Sequence, residues 1–178
     1  MSGPFKGIRV LELTSTVSGP FAGMMLADQG AEVIKVEPPG LGDLARFMGT
    51  IKDGMGAMFS TLNRNKKCIC LDFKNDEDLA VLKKLVSTTD VIIENYRPGI
   101  VKKLGIDYET LVKINPDLIY CSISGYGQSG PYQEKKVYDP LIQGTVGIPN
   151  AQSDKFPELI RTIIYDKVTG LTSAQAIS

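Results

Sequence analysis

The order of apolar and polar positions predicts strands that alternate with helices. Residues 8–13 form an apolar run rich in β-branched side chains, a break follows at residues 18–20, and residues 21–29 have helical character up to Gly30. Residues 31–37 predict a second strand, and the proline- and glycine-rich residues after it predict an irregular loop. These segments form a first strand–helix–strand unit.

The same alternation continues along the chain. Residues 68–73 predict a strand, Asn75 is suited to cap the acidic helix that follows, and residues 91–94 predict another strand. Asp107 predicts the start of a helix over residues 108–114. Residues 118–124 predict a further strand, which leads into a glycine-rich loop over residues 125–131.

Continuous apolar strands that alternate with helices favour a Rossmann-like α/β fold, with helices on both faces of a parallel sheet. We predict one such domain over residues 1–178, with ligands beyond the carboxyl ends of its strands. Residues 166–178 predict a final helix without a stop signal, from which we expect the chain to be truncated at its C-terminus.

The charge balance and the hydropathy of the chain limit the partners that it can have. Lysine plus arginine equals aspartate plus glutamate at 20 each, so no net charge favours nucleic acid, and no apolar stretch is long enough to span a membrane. We therefore expect a soluble cytoplasmic protein.

The absence of histidine excludes Ser-His-Asp triads, Cys-His dyads and His-ligated zinc. Cys68 and Cys70 are interpreted as a small buried pair on one strand face rather than as metal ligands.

A dinucleotide site is the first alternative that the strand–helix–strand unit raises. Glu37 closes the second strand, where a carboxylate can bind a ribose hydroxyl. The turn over residues 14–23 lacks the G-x-G-x-x-G pattern that lets the backbone approach a pyrophosphate. The sequence therefore disfavours dinucleotide binding.

Six motifs in order resemble the family III CoA-transferases, also called the CaiB/BaiF family, which includes formyl-CoA and carnitine CoA-transferases and α-methylacyl-CoA racemases. The motifs are GIRVLEL at 7–13, SGPFA at 18–22, LADQGAEVIKVEPPG at 26–40, NRNKK at 63–67, ENYRPG at 94–99 and SGYGQSGPY at 124–132. The resemblance covers essentially the whole chain. It implies the large CoA-binding domain of a longer protein, whose smaller second domain is absent here, and an interlocked homodimer.

The resemblance also implies a set of coenzyme A contacts at the strand ends. These positions are Thr16, Val17, Leu71, Lys74, Asn95, Tyr96, Arg97, Lys103 and Lys136. The basic members suit phosphates, and the apolar ones suit adenine and pantetheine. Without the resemblance, the three lysines would be interpreted as ordinary solvated side chains. Some members carry a basic residue where this chain has Pro38, so one phosphate contact is absent or supplied elsewhere.

RTIIYDKVTG at 161–170 resembles the catalytic aspartate motif of the family, which implies that Asp166 is the nucleophile. We expect the unpaired N–H groups and the dipole of the predicted helix to keep this carboxylate ionised. The alternative is that Asp166 only caps the helix.

The resemblance implies that CoA is transferred from an acyl-CoA to a carboxylic acid through a mixed anhydride and an aspartyl-CoA thioester, without a metal. Racemases of the family have a histidine before an aspartate where this chain has Tyr138 and Asp139, which we place in the substrate loop. Tyrosine is a poor base at neutral pH, so this difference favours transfer. A racemase and a noncatalytic CoA-binding fragment remain alternatives.

Overall fold

A computed structural model describes residues 3–153 and 155–178 of the chain. Its strands are β1 Arg9–Leu13, β2 Glu32–Glu37, β3 Ile51–Lys52, β4 Met55–Gly56, β5 Lys66–Cys70, β6 Val91–Glu94 and β7 Ile119–Ser122. Its α-helices are α1 Ser18–Asp28, α2 Ala57–Leu62, α3 Asp76–Val86, α4 Ile100–Lys103, α5 Tyr108–Leu111, α6 Asp139–Thr145, α7 Ile148–Gln152 and α8 Ile164–Ile177. A 3₁₀ turn covers Leu44–Phe47.

Five strands form one parallel sheet in the order β5-β2-β1-β6-β7, which confirms the predicted α/β fold. The chain proceeds outward from β1 through β2 to β5, and then returns to place β6 on the other side of β1. The strand order therefore reverses between β1 and β6. In open α/β sheets, ligands bind outside the carboxyl ends of the strands at such a reversal.

Alternate residues of the central strands pack on opposite faces of the sheet. Val10 and Ile93 belong to a cluster that includes residues of α1 and Ala174 of α8. Leu11 and Ile92 belong to the other cluster, which includes residues of α3. Helices therefore cover both faces, as the apolar strands require.

Close packing of α8 on α1 depends on Gly170. A Cβ atom at this position would lie 2.7 Å from the carbonyl oxygen of Ser18, which is too close for any side chain. Because Gly170 comes one turn after Asp166, this contact brings the start of α8 to the start of α1.

The structure confirms the two helix caps that were predicted from the sequence. The Asn75 side chain accepts hydrogen bonds from the N–H groups of Glu77 and Asp78, and Asp107 caps α5 through Thr110. The predicted break at residues 18–20 was wrong, because α1 begins at Ser18 and contains the break in its first turn. Proline is tolerated there, since the first N–H groups of a helix have no partner within the helix.

The prediction of a buried cysteine pair was also wrong. Cys68 and Cys70 are exposed, because β5 forms the edge of the sheet and begins at Lys66 rather than at residue 68. No helix in the described part of the chain is long and apolar enough to cross a membrane.

Four charged side chains, from β1, β2, the loop after β2 and the start of β5, are buried together. The ammonium group of Lys35 lies 3.0 Å from Glu12 Oε1 and 2.9 Å from Asp43 Oδ2, and Lys66 Nζ lies 2.7 Å from Glu12 Oε2. The four side chains are at most 1% exposed. Burial alone would lower the pKa of Lys35, but Glu12 and Asp43 hold that pKa above its usual value. The cluster is therefore stable only as a set of opposite charges.

We expect Lys35→Met to lower the free energy of unfolding by about 3–5 kcal/mol, because it leaves two buried carboxylates without their shared cation. The measurement is urea unfolding. Lys67→Met is the matched control, since Lys67 has a 72% exposed side chain and pairs with Glu32 at the surface, where the loss is below about 1 kcal/mol. Equal losses in the two variants would contradict a special role for the buried cluster.

Candidate functional site

A cavity of about 430 Å³ lies at the carboxyl end of the sheet, at the reversal of strand order. Its wall is formed by the loops after β1, β6 and β7 and by the starts of α1, α6 and α8. A smaller cavity of about 150 Å³ lies beside it, and Tyr96 lines both. The two cavities are therefore adjacent along one edge of the sheet.

Most of the residues predicted from the sequence line these cavities. The larger cavity is lined by Thr16, Val17, Asn95, Tyr96, Arg97, Lys136, Tyr138, Asp139 and Asp166. Leu71 and Lys74 line the smaller one, together with Pro38. Lys103 lies at the end of α4, exposed and outside both cavities, although its neighbour Leu104 lines the smaller one. The fold thus brings together positions that lie far apart in the sequence.

Thr16 is held in a backbone conformation that β-branched residues rarely adopt. Its φ angle is 70°, in the left-handed region, and its N–H group donates to Asp43 Oδ1 at 2.9 Å. Strain of this kind persists only where the surroundings fix the backbone. Here the fixing group is Asp43, which is itself paired with the buried Lys35.

Asn95 uses its side chain to hold the same loop. Its Oδ1 accepts from the N–H of Ser15 at 3.0 Å, and its Nδ2 donates to the carbonyl oxygen of Ser15 at 2.9 Å. Both ends of the amide are therefore engaged with the protein. A ligand contact by Asn95 would therefore use its backbone, the second N–H of its amide or the second lone pair of its amide oxygen.

Glu37 is occupied in a way that argues against a ribose contact. Arg46 donates to both of its carboxylate oxygens at 2.7 Å, and the N–H of Asp43 donates at 2.9 Å. Burial would raise the pKa of Glu37, but these donors together hold that pKa below its usual value. Both carboxylate oxygens of Glu37 are therefore engaged by the protein.

Asp166 is half-buried in the wall of the larger cavity, at the third position of α8. Its side chain does not cap the helix, since Ile163 is at the N-cap position and no side chain of the cap residue binds the helix. The interpretation of Asp166 as only a helix cap was therefore wrong.

The expected stabilisation of Asp166 by its own helix was also wrong. The N–H groups of Tyr165 and Asp166 donate to Asp139 Oδ2, at 2.5 and 3.1 Å, so the first turn is capped from α6. The pKa of Asp166 is raised, first by burial and then by the negative charge of Asp139. A raised pKa makes the ionised carboxylate a stronger base and nucleophile than a solvated aspartate.

Basic and aromatic side chains complete the larger cavity. Arg97, Lys135 and Lys136 line it and give it a positive charge that suits anionic ligands. Tyr138 also lines the cavity and is 73% exposed, so it is not packed beneath the loop. Its hydroxyl group is therefore accessible at the cavity mouth.

Sequence reasoning missed several residues that shape the site. Lys35 and Asp43 fix the Thr16 loop, and Gln143 donates to Asp139 Oδ1 at 2.6 Å. No helix was predicted from the sequence at Asp139–Thr145, so the four-residue spacing of Asp139 and Gln143, which places them on one helix face, was not recognised as a signal. No group of three or more potential metal ligands occurs among residues 3–153 and 155–178.

Comparison with known proteins gives consistent matches. The model of CoA-transferase family III matches residues 5–178. The chain is 43% identical to a succinate–glutarate CoA-transferase of Agrobacterium fabrum, with 98% of the chain and 46% of that protein covered. It is 44% identical to an acetyl-CoA:oxalate CoA-transferase of Acetobacter aceti, with 88% of the chain and 40% of that protein covered.

A solved structure of a CAIB/BAIF family protein from Brucella suis superposes with a TM-score of 0.94 at 42% identity, covering 99% of this chain and 48% of the other. The chain thus spans less than half the length of these relatives. The match to the family model includes the strand-end loops, the cavity wall and the start of α8. The chain belongs to CoA-transferase family III.

Proposed function

We propose that the protein of which this chain forms part transfers coenzyme A from an acyl-CoA to a carboxylic acid, with Asp166 as the nucleophile. The observation that carries this proposal is the position of Asp166 in a positively charged cavity, beside the residues for which the family resemblance implies CoA contacts. The names of the relatives support the reaction class.

Four exchanges at carbonyl carbons account for the reaction. The Asp166 carboxylate attacks the thioester, the C–S bond breaks, and a mixed anhydride and the CoA thiolate form. The thiolate then attacks the aspartyl carbonyl, which releases the donor acid and leaves an aspartyl-CoA thioester. The acceptor carboxylate attacks this thioester and again gives an anhydride and thiolate, and the thiolate finally takes the new acyl group and frees Asp166. No net proton or electron is consumed, and covalent catalysis divides the exchange into smaller steps.

The two cavities suggest how CoA would lie. The smaller cavity is lined by the apolar Leu71, which suits adenine, and by the basic Lys74, which suits a phosphate. The acidic Glu37 and Asp72 also line it, and Arg46 neutralises Glu37. Tyr96 belongs to both cavities, so a ligand that passes along it would carry its thioester toward Asp166. The contact implied for Lys103 requires its exposed side chain to reach over the rim.

A short dicarboxylate is the acceptor class that we propose. Relatives are named for succinate, glutarate and oxalate. Lys135 lines the cavity and is outside the set of implied CoA contacts, so it would supply charge for the second carboxylate once CoA is bound. The interlocked homodimer and the cytoplasmic location stay predictions.

We expect Asp166→Asn to reduce CoA transfer by at least about a thousandfold, because an amide cannot form the anhydride. Incubation with succinyl-CoA should attach CoA to Asp166, and hydroxylamine should convert that adduct to a hydroxamate that mass spectrometry locates. Asp117→Asn is the control, since Asp117 is exposed and outside both cavities. An active Asp166→Asn variant without an adduct on the wild type would exclude the proposed mechanism.

Arg97→Ala should weaken CoA binding by about tenfold or more, as expected for one charge-assisted hydrogen bond to phosphate. Isothermal titration with CoA gives the dissociation constant. Lys113→Ala removes an equal charge outside both cavities and should leave the affinity within about twofold of wild type. Equal weakening in both variants would mean that CoA responds to overall charge rather than to this site.

The racemase alternative makes a different prediction. A racemase exchanges the proton α to the thioester carbonyl, whereas a transferase of the proposed kind leaves it in place. We expect no deuterium in 2-methylacyl-CoA after incubation in D₂O, because Tyr138 stands where racemases of the family have a histidine. Deuterium incorporation without CoA transfer would favour the racemase, and CoA affinity without either reaction would favour a binding-only protein.

A further inference from the structure

The first turn of α8 is capped by a residue from another helix. Asp139 Oδ2 accepts the N–H groups of Tyr165 and Asp166, which are the donors that a side chain of α8 itself would otherwise use. Asp139 is only 4% exposed, so water does not compete freely for these bonds. The carboxylate of Asp139 therefore occupies the positive end of the helix that carries Asp166.

Gln143 fixes the orientation of Asp139. Its Nε2 donates to Asp139 Oδ1 at 2.6 Å and to the carbonyl oxygen of Thr162 at 3.1 Å, and its Oε1 accepts from the N–H of Ile160 at 2.8 Å. Gln143 is 1% exposed. Gln143 thus binds the segment before α8 to α6, and Asp139 binds the first turn of α8 to α6.

We propose that Asp139, oriented by Gln143, is a positioning residue that keeps the carboxylate of Asp166 free of its own helix and directed into the cavity. This inference rests on the proposed function, in which Asp166 is the nucleophile. A carboxylate folded back onto helix N–H groups cannot reach a thioester at the same time. Because Asp139 takes those N–H groups, Asp166 keeps its oxygens for the substrate.

The arrangement also changes the basicity of Asp166. The charged residues that line the same cavity are Arg97, Lys135, Lys136 and Asp139, and Lys167 of α8 is directed to Thr162 Oγ1 at 2.9 Å. Burial raises the pKa of Asp166, and the adjacent negative charge of Asp139 raises it further. The nucleophile must be ionised, so the acid limb of the transfer rate follows this pKa.

Asp139→Asn in the whole protein tests the proposal, since asparagine keeps the shape but loses the charge and one acceptor. We expect kcat for CoA transfer from succinyl-CoA to glutarate to fall about 10- to 100-fold, with KM for the donor within about twofold. The acid limb of the kcat profile should move to lower pH, because removing the charge of Asp139 lowers the pKa of Asp166. The shift of the limb reports the lost charge, whereas the fall in kcat at a pH where Asp166 is ionised reports its position. A merely structural role would lower the melting temperature and leave that kcat unchanged.

Gln143→Leu is the second variant, and it tests the positioning role of Asp139 if Asp139→Asn does not fold. It keeps the charge of Asp139 and removes the bonds that orient it, so kcat should fall about tenfold while the acid limb stays in place. Wild-type kcat in either folded variant, or a rise in KM with kcat unchanged, would overturn the proposal and make Asp139 a substrate contact instead.

Failure of the proposed function would be recognised separately, on the wild type. The hydroxylamine adduct at Asp166 tests the nucleophile without reference to Asp139. If that adduct forms but both variants transfer CoA at the wild-type rate, the positioning role alone is excluded. If no adduct forms and Asp166→Asn stays active, the nucleophile assignment and the inference built on it are both excluded.

Discussion

The shape of the site depends on the ion pairs of one buried lysine. Lys35 joins Glu12 of β1 to Asp43 of the loop after β2, and Asp43 in turn fixes the N–H group of Thr16. A lysine without access to water is tolerated only because two carboxylates surround it. The same pairs hold Thr16 in a left-handed conformation that its branched side chain disfavours. These buried ion pairs between β1, β2 and the loop after β2 thus fix the part of the cavity wall that Thr16 forms.

The left-handed backbone of Thr16 and the buried charge of Lys35 would each lower the stability of the folded state if they occurred separately. Together they are compatible, because the carboxylate that neutralises the lysine is the one that accepts the strained N–H group. The apolar clusters on both faces of the sheet supply the stability against which such local costs are tolerated.

The parts of the fold that follow from local chemistry could be predicted from the sequence. Asn75 caps α3 because its own side chain reaches the next N–H groups, and the apolar run at residues 91–94 is long enough only for a strand. The exposure of Cys68 could not be predicted, since it depends on which strand lies at the edge of the sheet. Asp166 was placed by a motif, whereas the carboxylate that caps its helix belongs to Asp139, 27 residues earlier in the chain and beyond the reach of any local pattern.

The different surroundings of Asp139 and Asp166 separate their chemical roles. Asp139 accepts two backbone N–H groups and the Gln143 amide, so both of its carboxylate oxygens are engaged by the protein. Asp166 faces the cavity beside that charge, and its pKa is raised by burial and by Asp139. Two neighbouring carboxylates in unlike environments differ in their readiness to react, as acid and base pairs in enzymes do. Asp139 is thus engaged in holding the start of α8, and Asp166 is left to act as the nucleophile that we propose.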